Sequence, residues 1–546
     1  MHRFSWRPDL LGTLLGLLGA VLSMTPSLLP RPALLQGVIA GLSFGAAYLC
    51  GRALTAIVRR TTAVRWSARV RRRVWWGVGI ALLVGIVPVG ALVLGWQNGV
   101  RAAVEMPPLD ALAPWLAIVG FVVTVALCFA IANGCVRLFR RIARRDGGRL
   151  RGRGFASITV IVVVAVGGTA VVAGAVAAVD AVYLGRNGTV SADSVEPASE
   201  FRSAGPDSAI DWDTLGRHGS DFVGGGPTAN QISALTEHEA IEPIRVYAGL
   251  DSAPDVRARA ALVVDELERT GAFDRKWLVV ATTTGSGWLE PQTVDAFEYL
   301  HGGDTAIAAM QYAYTPSWVS FLFDPDAPVS AADALFDAVH DKWETLDPGD
   351  RPELLVYGLS LGAHGTQAVF DDLTDLRAST DGAMLVGSPN SSPLWRELQS
   401  ARDPGSPVWR PVLDNGREVR WLSQLGDERL LPGPWLAPRV VYLQHATDPV
   451  TWLTPELLWS PPEWLGDARA PDVSPSMRWI PGVTAVQVVV DMLMGESVPA
   501  RHGPNYGDVV LSGWMSVSGD GGLDAAAIDH IQEEIEGYAL SDADAL

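Results

Sequence analysis

Five apolar runs of about 20 residues recur within the first 184 residues, at roughly 9 to 29, 33 to 57, 74 to 96, 114 to 134 and 155 to 184. No other feature of the chain narrows its folding as much. A segment in lipid must pair every backbone N–H and C=O internally, so each run predicts a membrane-spanning helix. The first run could instead be a signal peptide, with Arg3 and Arg7 ahead of it, but no A-x-A-like cleavage site follows and four more runs do, so it reads as retained.

The loops between the runs set an orientation. Arg59, Arg60, Arg65, Arg69, Arg71, Arg72 and Arg73 lie between the second and third runs. Arg137, Arg140, Arg141, Arg144, Arg145, Arg149, Arg151 and Arg153 lie between the fourth and fifth, whereas the other two loops hold only Arg31 and Arg101. Arg-rich short loops stay cytoplasmic, so the N-terminus is expected inside and everything after Leu184 outside the membrane. The arginines read as topological rather than as a lipid-headgroup site. Asp180, near the end of the last run, reads as solvated at the interface.

Charge divides the chain at the same place. Residues 1 to 185 hold 20 Arg, no Lys and 5 acidic residues, net +15, and the remainder is net −33, so the overall −18 hides two unlike halves. An acidic domain of that strength repels phosphate backbones and argues against nucleic acid as a partner. The only cysteines, Cys50, Cys128 and Cys135, lie in or beside the apolar runs, which removes disulfides, thiolate metal sites and a cysteine nucleophile from the acidic half.

Residues 185 to 240 are rich in Gly, Ser, Asp and Pro and read as a linker or loosely ordered lead-in. From 243 the pattern becomes short apolar runs alternating with helical stretches. Strands are expected at 244 to 250, 277 to 283, 307 to 314, 354 to 358, 383 to 387 and 440 to 444. Helices are expected at 253 to 270, 330 to 346, from the turn at 358 to about 373, 483 to 495 and 523 to 537. This succession predicts a mainly parallel sheet covered by helices on both faces.

The chemistry is concentrated in LLVYGLSLGAHG, where Gly358, Ser360 and Gly362 form G-x-S-x-G between a strand and a helix. A serine on so sharp a turn is presented above the sheet at the positive end of the following helix, and the flanking glycines let backbones approach without a Cβ clash. Such a serine needs a general base and an orienting acid, in chain order Ser, Asp or Glu, His. Four histidines follow it. His364 lies one turn along the same helix and reads as structural, His445 comes too early, and His530 sits in an amphipathic terminal helix. His502, in the turn RHGPNYG, is favoured as the base. Asp448, in HATDPV at a strand's carboxyl end, is favoured as the acid over a plain Asp-Pro turn. The 54 residues between them imply an insertion near the site. The oxyanion hole calls for the Leu361 N–H and a second donor from TTTGSGW, with Thr283 or Thr284 as candidates. A Gly-rich phosphate loop fails there because no Lys follows. Seven tryptophans, from Trp409 to Trp479, read equally as core packing or as an apolar rim receiving an acyl chain.

The segments PIRVYAGLDSAP, ELERTGAFDRKWLVVATTTGSGW, EYLHGGDTAIAAMQYAYTPSW, YGLSLGAHG, QHATDPV and RHGPNY together resemble the bacterial α/β-hydrolase family that joins an N-terminal multi-pass membrane region to a C-terminal catalytic domain. The resemblance covers nearly the whole chain. It implies the α/β-hydrolase fold and serine-hydrolase chemistry carried by Ser360, Asp448 and His502, within domains that the residue pattern sets at 1 to 185 (transmembrane), 186 to 240 (lead-in) and 241 to 546 (catalytic). It implies no substrate. Leu359 departs from the polar or acidic residue often found before the nucleophile in such elbows, which alters the local field and leaves the serine and glycines intact. The expected protein is therefore a membrane-anchored serine hydrolase that needs no metal or cofactor and acts on lipid or envelope acyl esters. The alternatives are an acyltransferase using the same residues and a non-catalytic membrane scaffold or transport component.

Overall fold

The computed structural model describes residues 9–61, 67–145, 181–191 and 194–544. The fifth apolar run up to residue 180, Asp180 and the arginine-rich stretch beyond Arg145 lie outside them. The chain forms two units, one of residues 1–178 with 473–487, the other of 179–472 with 488–546.

In the first unit, α1 (Leu10–Ser23), α2 (Ala33–Thr61), α3 (Ala68–Ala103) and α4 (Ala113–Arg145) account for the first four apolar runs. Three of them, over Ala33–Arg59, Arg69–Ala103 and Ala113–Arg137, are long and apolar enough to cross a membrane. The first run falls short of expectation. Its helix has 14 residues, roughly 21 Å against the 30 Å of a hydrocarbon core. The chain leaves it into MTPSLLPRP, where Pro26, Pro30 and Pro32 supply no backbone donors to continue a helix. Between α2 and α4 the backbones touch: a Cβ on Gly37 would lie 2.1 Å from the Ala117 carbonyl oxygen, and one on Gly120 2.5 Å from that of Leu34. Small residues admit such approach where no hydrophobic effect drives helices together. Phe44, Tyr48 and Phe129 fill the adjoining space, with Tyr48 and Phe129 edge to face at 5.2 Å. The α3 helix instead leaves Leu83, Val84, Ile86 and Val87 exposed, as a lipid-facing helix does.

The residues 473–487 complete this unit. Gln487 Nε2 donates to the Thr25 carbonyl (2.8 Å) and to Thr25 Oγ1 (3.0 Å), and Arg31 donates to the Gln487 carbonyl (3.1 Å). Arg31, an exception among the charge-poor loops, is therefore buried and bonded.

The second unit is built on a seven-stranded, wholly parallel sheet: β1 (Ile244–Ala248), β2 (Trp277–Thr282), β3 (Thr305–Met310), β4 (Glu353–Leu359), β5 (Gly382–Val386), β6 (Val419–Leu422) and β7 (Arg439–Leu443). Their spatial order is β1-β3-β2-β4-β5-β7-β6. Nearly every strand residue is buried, as both faces of a parallel sheet require. Six strands fall where the apolar runs predict them. Only β6 does not, because VRWL is four residues long and carries a charge at its second position. Arg420 is nonetheless buried, its guanidinium spent on the carbonyls of Gly416, Glu428, Leu431 and Gly433.

Two helical segments of residues 194–240 replace the expected loose lead-in: α5 (Gly216–Gly224) and α6 (Ala229–Thr236) pack with Leu215, Val223 and Ile232 buried. Arg202 bridges to Arg245 of β1 in parallel. Both guanidiniums reach the carboxyl end of α5, Arg245 to the Phe222 carbonyl and Arg202 to that of Val223 (each 2.9 Å), where orphan carbonyls and the helix dipole favour a cation. Arg245 is also held by Asp295 and Glu298. A composition rich in Gly and Ser does not disclose such long-range anchoring.

Right-handed crossovers fix the helices' sides. The β1–β2 connection through α7 (Val256–Thr270) and the β3–β4 connection through α9 (Ala327–Glu344) run in one direction along the sheet. The β2–β3 connection, through α8 (Pro291–Leu300), runs back. Hence α8 covers one face, with α11 (Val510–Ser518) and α12 (Ala525–Asp544) packed on it. The other face is covered by α7, α9 (Ala327–Glu344) and α10 (Leu361–Ala368). The direction of winding reverses between β2 and β4. In open parallel sheets the crevice at such a reversal, beyond the carboxyl ends of the strands, is where ligands bind.

Candidate active site

The carboxyl ends of β2 and β4 bring Thr283 and Ser360 to that crevice, since Thr282 is in register with Gly358. Ser360 adopts φ 54° and ψ −116°, a strained conformation for a side-chain-bearing residue. Neighbouring backbones hold it there. Its N–H donates to the Val386 carbonyl at the end of β5 (2.8 Å), and its own carbonyl accepts from His364 N–H (3.0 Å) to begin α10. A Cβ on Gly358 would lie 2.4 Å from the Gly362 carbonyl, and one on Gly362 2.2 Å from the Thr282 carbonyl oxygen. The two glycines thus let strand, turn and helix cross, which is the role their spacing predicts. Leu361, buried at the first helical position, has one of the N–H groups that an α-helix cannot pair internally.

The two threonines differ. The Thr284 N–H donates to the Trp288 carbonyl (3.0 Å), closing the turn, and its hydroxyl pairs with Ser317 Oγ (2.8 Å). Thr283 commits its hydroxyl to the Met310 carbonyl (3.1 Å), and its backbone stands against Gly362. His364 bonds Ser392 Oγ at 3.0 Å and burial lowers its pKa, in keeping with a structural role.

Asp448 follows β7 and caps the short helix Pro449–Trp452, its Oδ1 accepting from Val450 N–H (3.1 Å). Its Oδ2 accepts from the Tyr506 hydroxyl (2.8 Å). Burial pushes this carboxyl up to about 7, against the opposing pull of those two hydrogen bonds. The Tyr506 hydroxyl also accepts from the His445 N–H (3.2 Å), and the His445 ring stacks on it at 4.1 Å. Burial holds His445 down to about 4, and its Nδ1 bonds the Gly503 carbonyl (2.9 Å).

His502 is buried, and neither ring nitrogen has a hydrogen-bond partner. The bond from His502 to Asp448 that a Ser-His-Asp reading calls for is not formed. The carboxylate in ion-pair range of His502 Nδ1 is Asp472, at 3.8 Å. Ser360, Leu361 and the 282–283 backbone are therefore gathered at one strand end, whereas Asp448 and His502 occupy adjacent loops without touching through their side chains. Sequence reasoning missed Tyr506, Asp472 and Asp508, the last a buried carboxyl 4.0 Å from His445 Nε2. Tyr506 and Asp508 share the RHGPNYGD turn with His502 and were within reach. Asp472 stands in a Pro- and Gly-rich stretch with no periodic signal.

The tryptophans differ in their surroundings. Trp421 is core, stacked on Tyr442 at 5.2 Å. Trp395, Trp452 and Trp464 line an open groove of about 340 Å³, and Trp459 is exposed. Ser360 does not line that groove.

A parallel doubly wound sheet with a strained serine between a strand and a helix at its switch point defines the α/β-hydrolase class. The chain belongs to the Alpha/beta-hydrolase family, whose pattern matches residues 244–531, and residues 24–227 match the Alpha/beta-hydrolase family N-terminus. No curated protein matches the chain. Among solved structures, a Trichoderma reesei cutinase in complex with a C11Y4 phosphonate inhibitor is similar, at 14% identity over 44% of this chain and 90% of the cutinase, with a TM-score of 0.20. That likeness is too slight to bear on chemistry.

Proposed function

We propose that the protein is a membrane-anchored serine hydrolase acting on lipid or envelope acyl esters, with Ser360 as nucleophile and His502 as general base. The observation that carries this reading is the backbone of Ser360, strained at the switch point and followed at once by the unpaired N–H of a helix start. His502 takes the Ser360 hydroxyl proton as the oxygen attacks the ester carbonyl. The resulting oxyanion is held by the Leu361 N–H and by that of Thr283, because Thr284 has spent its own. His502 then gives the proton to the departing alcohol, and water repeats the sequence to release the acid and restore Ser360. An acid from the loops beyond β7 keeps the imidazole oriented; Asp448 and Asp472 both stand between Ser360 and His502 in the chain. The apolar helices and the acidic second half support a catalytic domain held on the extracytoplasmic side.

Labelling of membranes with a fluorophosphonate probe tests the proposal. Wild type is expected to label, and Ser360→Ala and His502→Ala to lose labelling. A folded wild type that stays unlabelled rules the reading out.

A further inference from the structure

We infer that Asp472, and not Asp448, is the carboxylate that orients His502, an inference that rests on the serine-hydrolase reading of Ser360 and His502. An acid serves a catalytic imidazole by accepting a hydrogen bond at one ring nitrogen, which fixes the tautomer and aims the other nitrogen at the nucleophile. Asp448 does not do that work here: its oxygens accept from the Val450 N–H and the Tyr506 hydroxyl, and no hydrogen bond joins it to either ring nitrogen of His502.

Asp472 is placed well. Its Oδ2 lies 3.8 Å from His502 Nδ1, and closing that gap to a charge-assisted bond takes about 1 Å of movement. The approach is built and not accidental. The buried Thr447 hydroxyl donates to the same Oδ2 (3.2 Å) and accepts from the Gly503 N–H (2.9 Å). One hydroxyl thereby ties the acid to the backbone immediately after the base. Asp472 also keeps the chain order Ser, Asp, His. Asp448 is left as an anchor that holds Tyr506, and through it the 502–508 turn, against the end of β7.

The test compares Asp472→Asn, Asp472→Glu and Asp448→Asn in the full-length membrane protein, following fluorophosphonate labelling to completion beside wild type and Ser360→Ala. Asp472→Asn is expected to lower the labelling rate constant about a hundredfold or more while reaching the wild-type endpoint. A misfolded fraction would lower the endpoint instead. Asp472→Glu, which keeps the charge, is expected to recover most of the rate. If Asp472→Asn labels at the wild-type rate, the inference is overturned, and a slow Asp448→Asn in the same series would return the role to Asp448. The hydrolase reading survives either result provided wild type labels and Ser360→Ala does not. An unlabelled wild type overturns both.

Discussion

A buried carboxyl raised to about 7 makes Asp448 a titrating group with a sign that can be worked out. Between its ordinary value near 3.8 and about 7, the folded state keeps a proton that the unfolded state has lost. The folded state thus binds more protons, and the stability tied to this group, complete below the ordinary value, is lost as pH rises through 7. Asp448→Asn keeps an acceptor for Tyr506 and has nothing to ionise. Relative to wild type it is expected to gain stability from pH 4.5 to 7.5, by at most about 4 kcal/mol. Thermal melts of the two proteins at both pH values check this, and a difference that stays constant contradicts the burial described. The difference is the quantity to follow, because His445, held down to about 4, acts with the opposite sign below its ordinary value. Legibility at this scale tracked sequence distance. Ser360, Gly358 and Gly362 were readable because five consecutive residues shape the whole turn. The relation of His502 to Asp472, Thr447 and Tyr506 was not, because it is made of loop contacts that leave no local pattern.

Among elements, the crossing of β2, β4 and α10 matters most. It rests on Gly362, whose missing side chain lets the turn sit on the Thr282 carbonyl. A methyl group 2.2 Å from that oxygen must push the elbow away from the strand that supplies Thr283. Gly362→Ala is expected to cost about 1–3 kcal/mol of stability and to slow fluorophosphonate labelling by tenfold or more. A variant with the wild-type melting temperature and labelling rate would show that the crossing tolerates more room. The buried strands were legible as continuous apolar runs bounded by turns. The lead-in helices were not, since what orders them is Arg202 and Arg245 gripping the end of α5, an arrangement that composition hides. The first apolar run gives a shorter helix than its length suggests, because the prolines that follow it stop the helix at Ser23.

Over the whole molecule, the division into a basic apolar half and an acidic α/β half was legible from charge and hydropathy, and the family match to both parts agrees with it. The division is not a clean cut, because 473–487 leaves the second unit and completes the first. Gln487→Ala removes two hydrogen bonds to Thr25. It is expected to raise hydrogen exchange across 473–487 roughly tenfold without altering exchange in the strands; unchanged exchange there would mean the segment is held by other means. The same stitch sets an order on biosynthesis. Thr25 and Gln487 are 462 residues apart, so at 5–20 residues per second the ribosome delivers the second partner on the order of 20–90 s after the first. Until then the N-terminal unit waits with an open seam, and a chain that stalls or is cut short before residue 487 leaves that seam exposed to whatever surveys unfinished proteins.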